Sequence, residues 1–159
     1  MDRRAILMGV GLVGSAALLL NTPPVSAQQS EAAAVKAVID DFHAALSALD
    51  AKKMDSLWAH DAYVTLINPR DKAISVGWDA VKKNWDATYP VWSQLKVTQQ
   101  DGPDIHVDGR VAWASGIAVA AGQLRNGTAV SSPTYEIDVL EKRDNRWLLV
   151  SHTALRVPQ

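Results

Sequence analysis

Four histidines, His43, His60, His106 and His152, are the side chains of this sequence whose ordinary pKa of about 6.5 suits proton transfer near neutral pH. None stands at a His-x-x-x-His spacing, and there is no cysteine, so no metal site and no cysteine nucleophile is expected. Asp101, Asp104 and Asp108 have the rough spacing of a calcium loop but lack its closing glutamate, and they read as solvated turns. His106 reads as a turn residue beside Asp108-Gly109. No glycine-rich phosphate cradle and no nucleophile-elbow serine occurs, and no cofactor is expected. His152 is left as the candidate general acid or base, with Tyr135 able to donate a hydrogen bond to a ligand oxygen and Asn68 able to orient one. Its alternative reading is a buried histidine that serves architecture, since a lone imidazole needs partners to be catalytic.

The elements that would position these groups can be read from periodicity. Val35, Val38, Ile39, Phe42, Leu46 and Leu49 form one stripe of a helix about five turns long, with Ser30 as its expected cap. Asp50 is placed to cap a second, shorter helix carrying Met54, Leu57 and Trp58. A hairpin over residues 62–76 turns at Asn68-Pro69-Arg70-Asp71, and Gly77 opens a third helix with Trp78, Val81 and Trp85 on one face, stopped by Pro90. From Leu95 onward the period changes to two. Asp108-Gly109, Asn126-Gly127 and Asp144-Asn145 punctuate a meander, with Pro133 expected at a bulge or an edge. Three helices followed by an antiparallel sheet make the fold α+β.

Pairing residues outward from two-residue turns predicts which side chains share a face. From Asp144-Asn145 it sets Glu141 opposite Leu148, Val139 opposite Val150 and Ile137 opposite His152. From Asn126-Gly127 it sets Ala118 opposite Tyr135, Gly116 opposite Ile137 and Ala114 opposite Val139. The inner face is then apolar, with small residues on one strand. Trp113, Ser115, Ile117, Glu136, Asp138, Trp147, Leu149, Ser151 and Thr153 fall on the outer face, a mixture suited to solvent or to a second subunit. A three-residue loop would reverse this parity. Six tryptophans opposite alanine and glycine point to a walled pocket, lined by Phe42, Trp58, Asn68, Trp85, Tyr135, Ile137 and Val150; a filled core of the same rings is the alternative.

With 159 residues and 48% hydrophobic content the chain supports one domain with one core, and a formal charge of -1 without a basic stripe excludes a nucleic-acid partner. Arg3 and Arg4 precede an uncharged run from Ala5 to Leu20, too short and glycine-rich for a membrane span, and Val25-Ser26-Ala27 offers the small residues that a signal peptidase reads. Residues 1–27 are therefore expected to be a signal peptide cleaved before Gln28, and residues 28–159 the mature domain, periplasmic or secreted, with no stable membrane span after processing. Arg3-Arg4-Ala5-Ile6-Leu7 resembles a twin-arginine signal.

Asp41-Phe42-His43-Ala44-Ala45-Leu46, Asp50, Leu57-Trp58, Asp61-Ala62, Gly77-Trp78-Asp79-Ala80-Val81 and Arg146-Trp147-Leu148-Leu149-Val150-Ser151-His152, in this order, resemble the nuclear transport factor two-like superfamily in its SnoaL-like branch. The resemblance covers residues 31–157. It implies a cone-shaped barrel of a curved antiparallel sheet covered by three N-terminal helices, with a pocket between helices and sheet and a homodimer through the sheet's outer face. Ketosteroid isomerase chemistry does not carry over, because the first-helix tyrosine corresponds to Phe42, the catalytic aspartate to Asn68, and the protonated acid falls near Ile137. An amide cannot abstract a proton as that carboxylate does. The Asp-Arg-Asp set of the related hydrolases has no match either. Three functions stay open: binding of a small apolar or amphipathic molecule, a small lyase or isomerase using His152, and a homodimerization module without ligand.

Overall fold

The computed structural model describes residues 25–158. All but the last three residues of the expected leader lie outside the described residues, and residues 25–27 belong to the first turn of α1 (Val25–Ala48). Val35, Ile39, Phe42 and Ala45 repeat at helical spacing along its buried face. The helix ends without a glycine. Leu49 takes a left-handed conformation at φ 53°, its N–H donating to Leu46 O at 3.1 Å and that of Asp50 to Ala45 O at 2.9 Å, the paired bonds of a Schellman stop. Asp50 then caps α2 (Ala51–Leu57), its carboxylate accepting from Lys53 N at 2.9 Å.

The short hairpin β1 (Thr65–Ile67) and β2 (Ser75–Val76) leads through Gly77 into α3 (Trp78–Thr88), and Pro90 lies in the single 3₁₀ turn Tyr89–Val91 that ends it. The meander is β3 (Trp92–Asp108), β4 (Val111–Leu124), β5 (Ala129–Arg143) and β6 (Arg146–Arg156). These strands form one open sheet in the order β2-β1-β6-β5-β4-β3, antiparallel except where β1 runs parallel to β6 and sets Leu66 beside His152. Register shifts along β3, between Trp92 and Gln94 and between Gln99 and Asp104, bend that strand and curve the sheet around the helices. The fold is α+β, with the helices covering a curved, unclosed sheet. Among the described residues no helix is long and apolar enough to cross a membrane.

Two local features correct the expected register. Three residues, 125–127, separate Leu124 from Thr128, whose carbonyl accepts from Leu124 N–H at 2.9 Å and closes the β4–β5 turn, with Gly127 at φ 84°. Ala118 is therefore opposite Thr134, Gly116 opposite Glu136 and Ala114 opposite Asp138. The Asp144-Asn145 turn is tight, as expected, with both residues at positive φ, and Glu141 does face Leu148. A bulge follows: Leu140 pairs with Leu149 but Val139 pairs with Ser151, so Val150 is the extra residue and Asp138, not Ile137, lies opposite His152. Glu136, Asp138, Trp147 and Leu149, expected outside, are buried beneath the helices; Tyr135 and Ile137, expected inside, are 47% and 51% exposed. His106 lies within β3 beside Trp113 rather than in a turn, and Asp101 and Asp104 also lie in β3.

Replacing Asp50 by Ala should remove the α2 cap and cost about 1 kcal/mol of unfolding free energy, whereas Asp50→Asn should stay close to the parent. Urea denaturation of the three proteins checks this.

Candidate functional site

Because β5 turns its even-numbered residues inward, Thr134, Glu136 and Asp138 form a buried polar row along the inner face. Each carboxylate meets a histidine from another element. Asp138 Oδ1 lies 2.7 Å from His152 Nδ1 on β6, and Glu136 Oε2 lies 2.8 Å from His43 Nε2 on α1. The Thr134 hydroxyl donates to Ala118 O at 3.2 Å and lies 3.4 Å from Glu136 Oε1. His152 is enclosed by rings, with Phe42 centred 4.7 Å away and Trp85 6.3 Å away, and is 2% exposed.

Burial is the strongest influence on His152 and favours the neutral ring, but the Asp138 charge, the hydrogen bond to it and the Glu136 charge together outweigh burial and raise its pKa above the ordinary 6.5. Burial likewise pushes Glu136 up. The hydrogen bond to His43, the charges of His152 and His43 and the bond to Thr134 prevail, and its carboxyl is held below the ordinary 4.5. The cluster is thus a hydrogen-bonded set in which each carboxylate has an imidazole partner, which a low-dielectric interior tolerates because every member is paired.

Beside it opens a cleft of about 870 Å³ between α3, the β1–β2 hairpin and the ends of the long strands. Its apolar wall includes Leu46, Ile74, Val76, Trp85, Val91, Trp92, Leu95, Ala120 and Val130. Polar groups on the wall include Asn68, Arg70, Asp71, Asn84, Ser132, Thr134 and Arg156. The hairpin side of the wall is braced: Asp71 Oδ2 accepts from Asn68 N and from Asn84 Nδ2, both at 2.8 Å, and Asn84 Oδ1 accepts from Asn68 Nδ2 at 2.8 Å.

Of the residues expected to line the pocket, the structure brings Asn68 and Trp85 to the cleft. Phe42, Trp58 and Val150 are buried in the core instead, and Tyr135 and Ile137 stand on the opposite face of the sheet. His152 lies behind the cleft and does not border it. The tryptophans divide similarly: Trp85 and Trp92 border the cleft, Trp58 and Trp147 fill the core, Trp78 stacks on His60 at 4.1 Å, and Trp113 stacks on His106 at 4.2 Å. Sequence reasoning missed His43, Glu136 and Asp138 as a group. The one signal that could have found them was the alternation Thr134, Glu136, Asp138, Leu140 on a strand whose neighbour is small and apolar, a pattern that places one set or the other inside. Among the described residues no three histidines, aspartates or glutamates are grouped so as to hold a metal ion.

A helical layer over a curved six-stranded sheet, with a cleft at one end, is the α+β fold that solved nuclear transport factor two-like structures share. Residues 35–154 match the SnoaL-like domain, and the chain belongs to that family. Solved structures agree on the fold. A nuclear transport factor 2-like superfamily protein from Salmonella enterica serovar Typhimurium superposes with a TM-score of 0.75 at 20% identity, over 86% of this chain and 95% of the other. A dehydratase candidate of the same superfamily from Streptomyces avermitilis gives 0.72 at 18% identity, over 83% and 99%. A ketosteroid isomerase-like protein from Erwinia carotovora atroseptica gives 0.68 at 12% identity, over 81% and 98%. Comparison with curated proteins gives no match.

The buried pairs carry a pH signature. The raised His152 pKa contributes stability that is complete below about pH 6.5 and is lost as pH rises through the folded-state value; the lowered Glu136 pKa contributes stability that is complete above about pH 4.5 and is lost as pH falls through its folded-state value. Unfolding free energy should be greatest between these limits. Asp138→Asn should flatten the alkaline fall and keep an acid one, lessened by the share that the His152 charge gives Glu136, measured by urea titration across the range. An unchanged alkaline slope in the variant would show that Asp138 does not hold the His152 charge.

Proposed function

We propose that this protein is an exported small-molecule-binding protein that takes an apolar or amphipathic ligand into the cleft between α3 and the sheet. The carrying observation is the cleft itself: about 870 Å³ walled by Trp85, Trp92, Leu95 and other apolar side chains, with a few fixed polar groups, the usual composition of a ligand site. Burying ligand surface against these rings supplies affinity, and the braced Asn68, Asp71 and Asn84 set supplies a preformed wall that costs little ordering on binding. Export, to the periplasm or beyond, rests on the leader-like residues 1–27.

Two subunits pair through the outer sheet face in this reading. Trp113, Tyr135, Ile137 and Leu155 stand exposed on that face of neighbouring strands, more apolar surface than a lone sheet usually leaves in water.

A catalytic reading, with His152 as the general acid or base of a lyase or isomerase, has one observation in its favour. Thr134 borders the cleft and joins it to the buried Glu136 and His43. It is weaker than binding, because His152 is enclosed and its Nδ1 is committed to Asp138.

Two measurements test the proposal. The fluorescent apolar probe N-phenyl-1-naphthylamine should bind once per chain, lose at least about tenfold in affinity in Val130→Trp, which fills the cleft, and stay within about tenfold in His152→Gln. Native mass spectrometry of the exported protein should give a dimer of chains beginning at Gln28 that retains a small molecule. Probe binding indifferent to Val130→Trp, or an empty dimer that takes up no probe, would leave the dimerization module as the function.

A further inference from the structure

The arginines of the described chain divide into two groups by what they do for the fold. Arg110 donates twice to Lys142 O, Arg125 to Pro90 O, Arg146 to Ser56 O, and Arg143 to Asp61 and Glu141. Arg70 and Arg156 make no such bond among the described residues, and they are the two arginines that border the cleft. Both also border a second hollow of about 410 Å³ that continues from it beside Ser131, Ser132 and Pro133. The pair therefore stands where the two spaces meet.

Their placement is built by the backbone. Arg70 is the third residue of a hydrogen-bonded turn, Asp71 N–H donating to Asn68 O at 2.9 Å, and that turn is locked to α3 through Asn84. Arg156 ends β6 opposite Thr134, on the inward parity shared by His152 and Ala154. Parallel pairing of β1 with β6 carries the hairpin turn toward that same strand end. Asp71, the acid bordering the cleft with them, spends its Oδ2 on Asn68 and Asn84. With Lys83 also on the wall, the lining is cationic in a chain whose formal charge is -1. Two arginines that border one space repel each other unless an anion lies between them, and their planar forks suit a planar or tetrahedral oxyanion.

We infer that the ligand is an amphipathic acid, its apolar body lying over Trp92 and Leu95 in the large cleft and its anionic head held between Arg70 and Arg156 at the junction with the second hollow. The inference rests on the binding function proposed above and names the chemistry of its ligand. Head and body are recognised separately: the body by area removed from water, the head by charge-assisted hydrogen bonds that weaken with salt.

The test uses two probes with the same aromatic body, the anionic 8-anilinonaphthalene-1-sulfonate and the neutral N-phenyl-1-naphthylamine. They are titrated into the full protein and into Arg70→Gln/Arg156→Gln, whose exposed positions leave the fold intact, as circular dichroism will check. The parent should bind the sulfonate more tightly than the neutral probe, and added salt should weaken only the former. The double variant should lose at least about tenfold in affinity for the sulfonate and keep its affinity for the neutral probe. Undiminished sulfonate binding, or equal loss for both probes, would overturn the acid-head inference while leaving the cleft as a binding site. Failure of Val130→Trp to weaken either probe would instead remove the binding function on which it rests.

Discussion

β5 turns its even-numbered residues inward, and both the pairing of β6 and the seating of α1 follow from that parity. It brings Glu136 and Asp138 beneath the helices, where an unpartnered carboxylate would cost several kcal/mol. The cost is offset only because α1 delivers His43 to Glu136 and β6 delivers His152 to Asp138. The two pairs therefore do more than fill space. They fix the rotation of α1 about its own axis, since His43 and Phe42 must both face the sheet, and they fix which residue of β6 stands opposite Asp138. Sliding by one residue would turn the apolar set of a strand outward, and it would in addition part both carboxylates from their histidines.

The interior divides as a consequence. At the closed end, Leu140, Leu149, Met54 and Val64 fill the space completely, and His152 is packed against Phe42. Toward the other end a smaller cluster of Leu95, Val97 and Ala118 packs with Leu46, Leu49 and Trp92, and the cleft opens beside it, between α3 and Ala120 of β4. Close approach of β3 to β4 maintains that end: a side chain at Gly122 would meet Gln94 O at 2.1 Å, which backbone cannot yield to. Thr134 stands at the boundary, with one side on the cleft and its hydroxyl toward Glu136.

Much of the architecture was legible in the residues. The Val35, Ile39, Phe42 stripe, the Asp50 cap, Gly77 before α3 and the Asp144-Asn145 turn each state a local rule that the fold obeys. The site was less legible because it depends on counting across two connections. Asn126-Gly127 reads as a two-residue turn but sits in a three-residue loop, and Val150 looks like any apolar strand residue yet is the bulge. Either feature shifts partners by one, and one residue decides whether Asp138 or Ile137 faces His152. The cleft's position was hidden for a different reason. Which of Phe42, Trp58, Trp85 and Trp92 walls a space rather than fills one is set by how the helices pack across the sheet, and periodicity does not report that.

Asp138 and His152 face each other inside the protein, and nuclear magnetic resonance of the labelled imidazole can detect that pairing in solution. The His152 ring protons should show through-space contacts to Phe42, and the ring should titrate above its ordinary 6.5, returning toward or below that value in Asp138→Asn. A His152 ring that shows no contact to Phe42, or one whose titration is the same with and without the Asp138 carboxylate, would contradict the register and the buried pairs built on it.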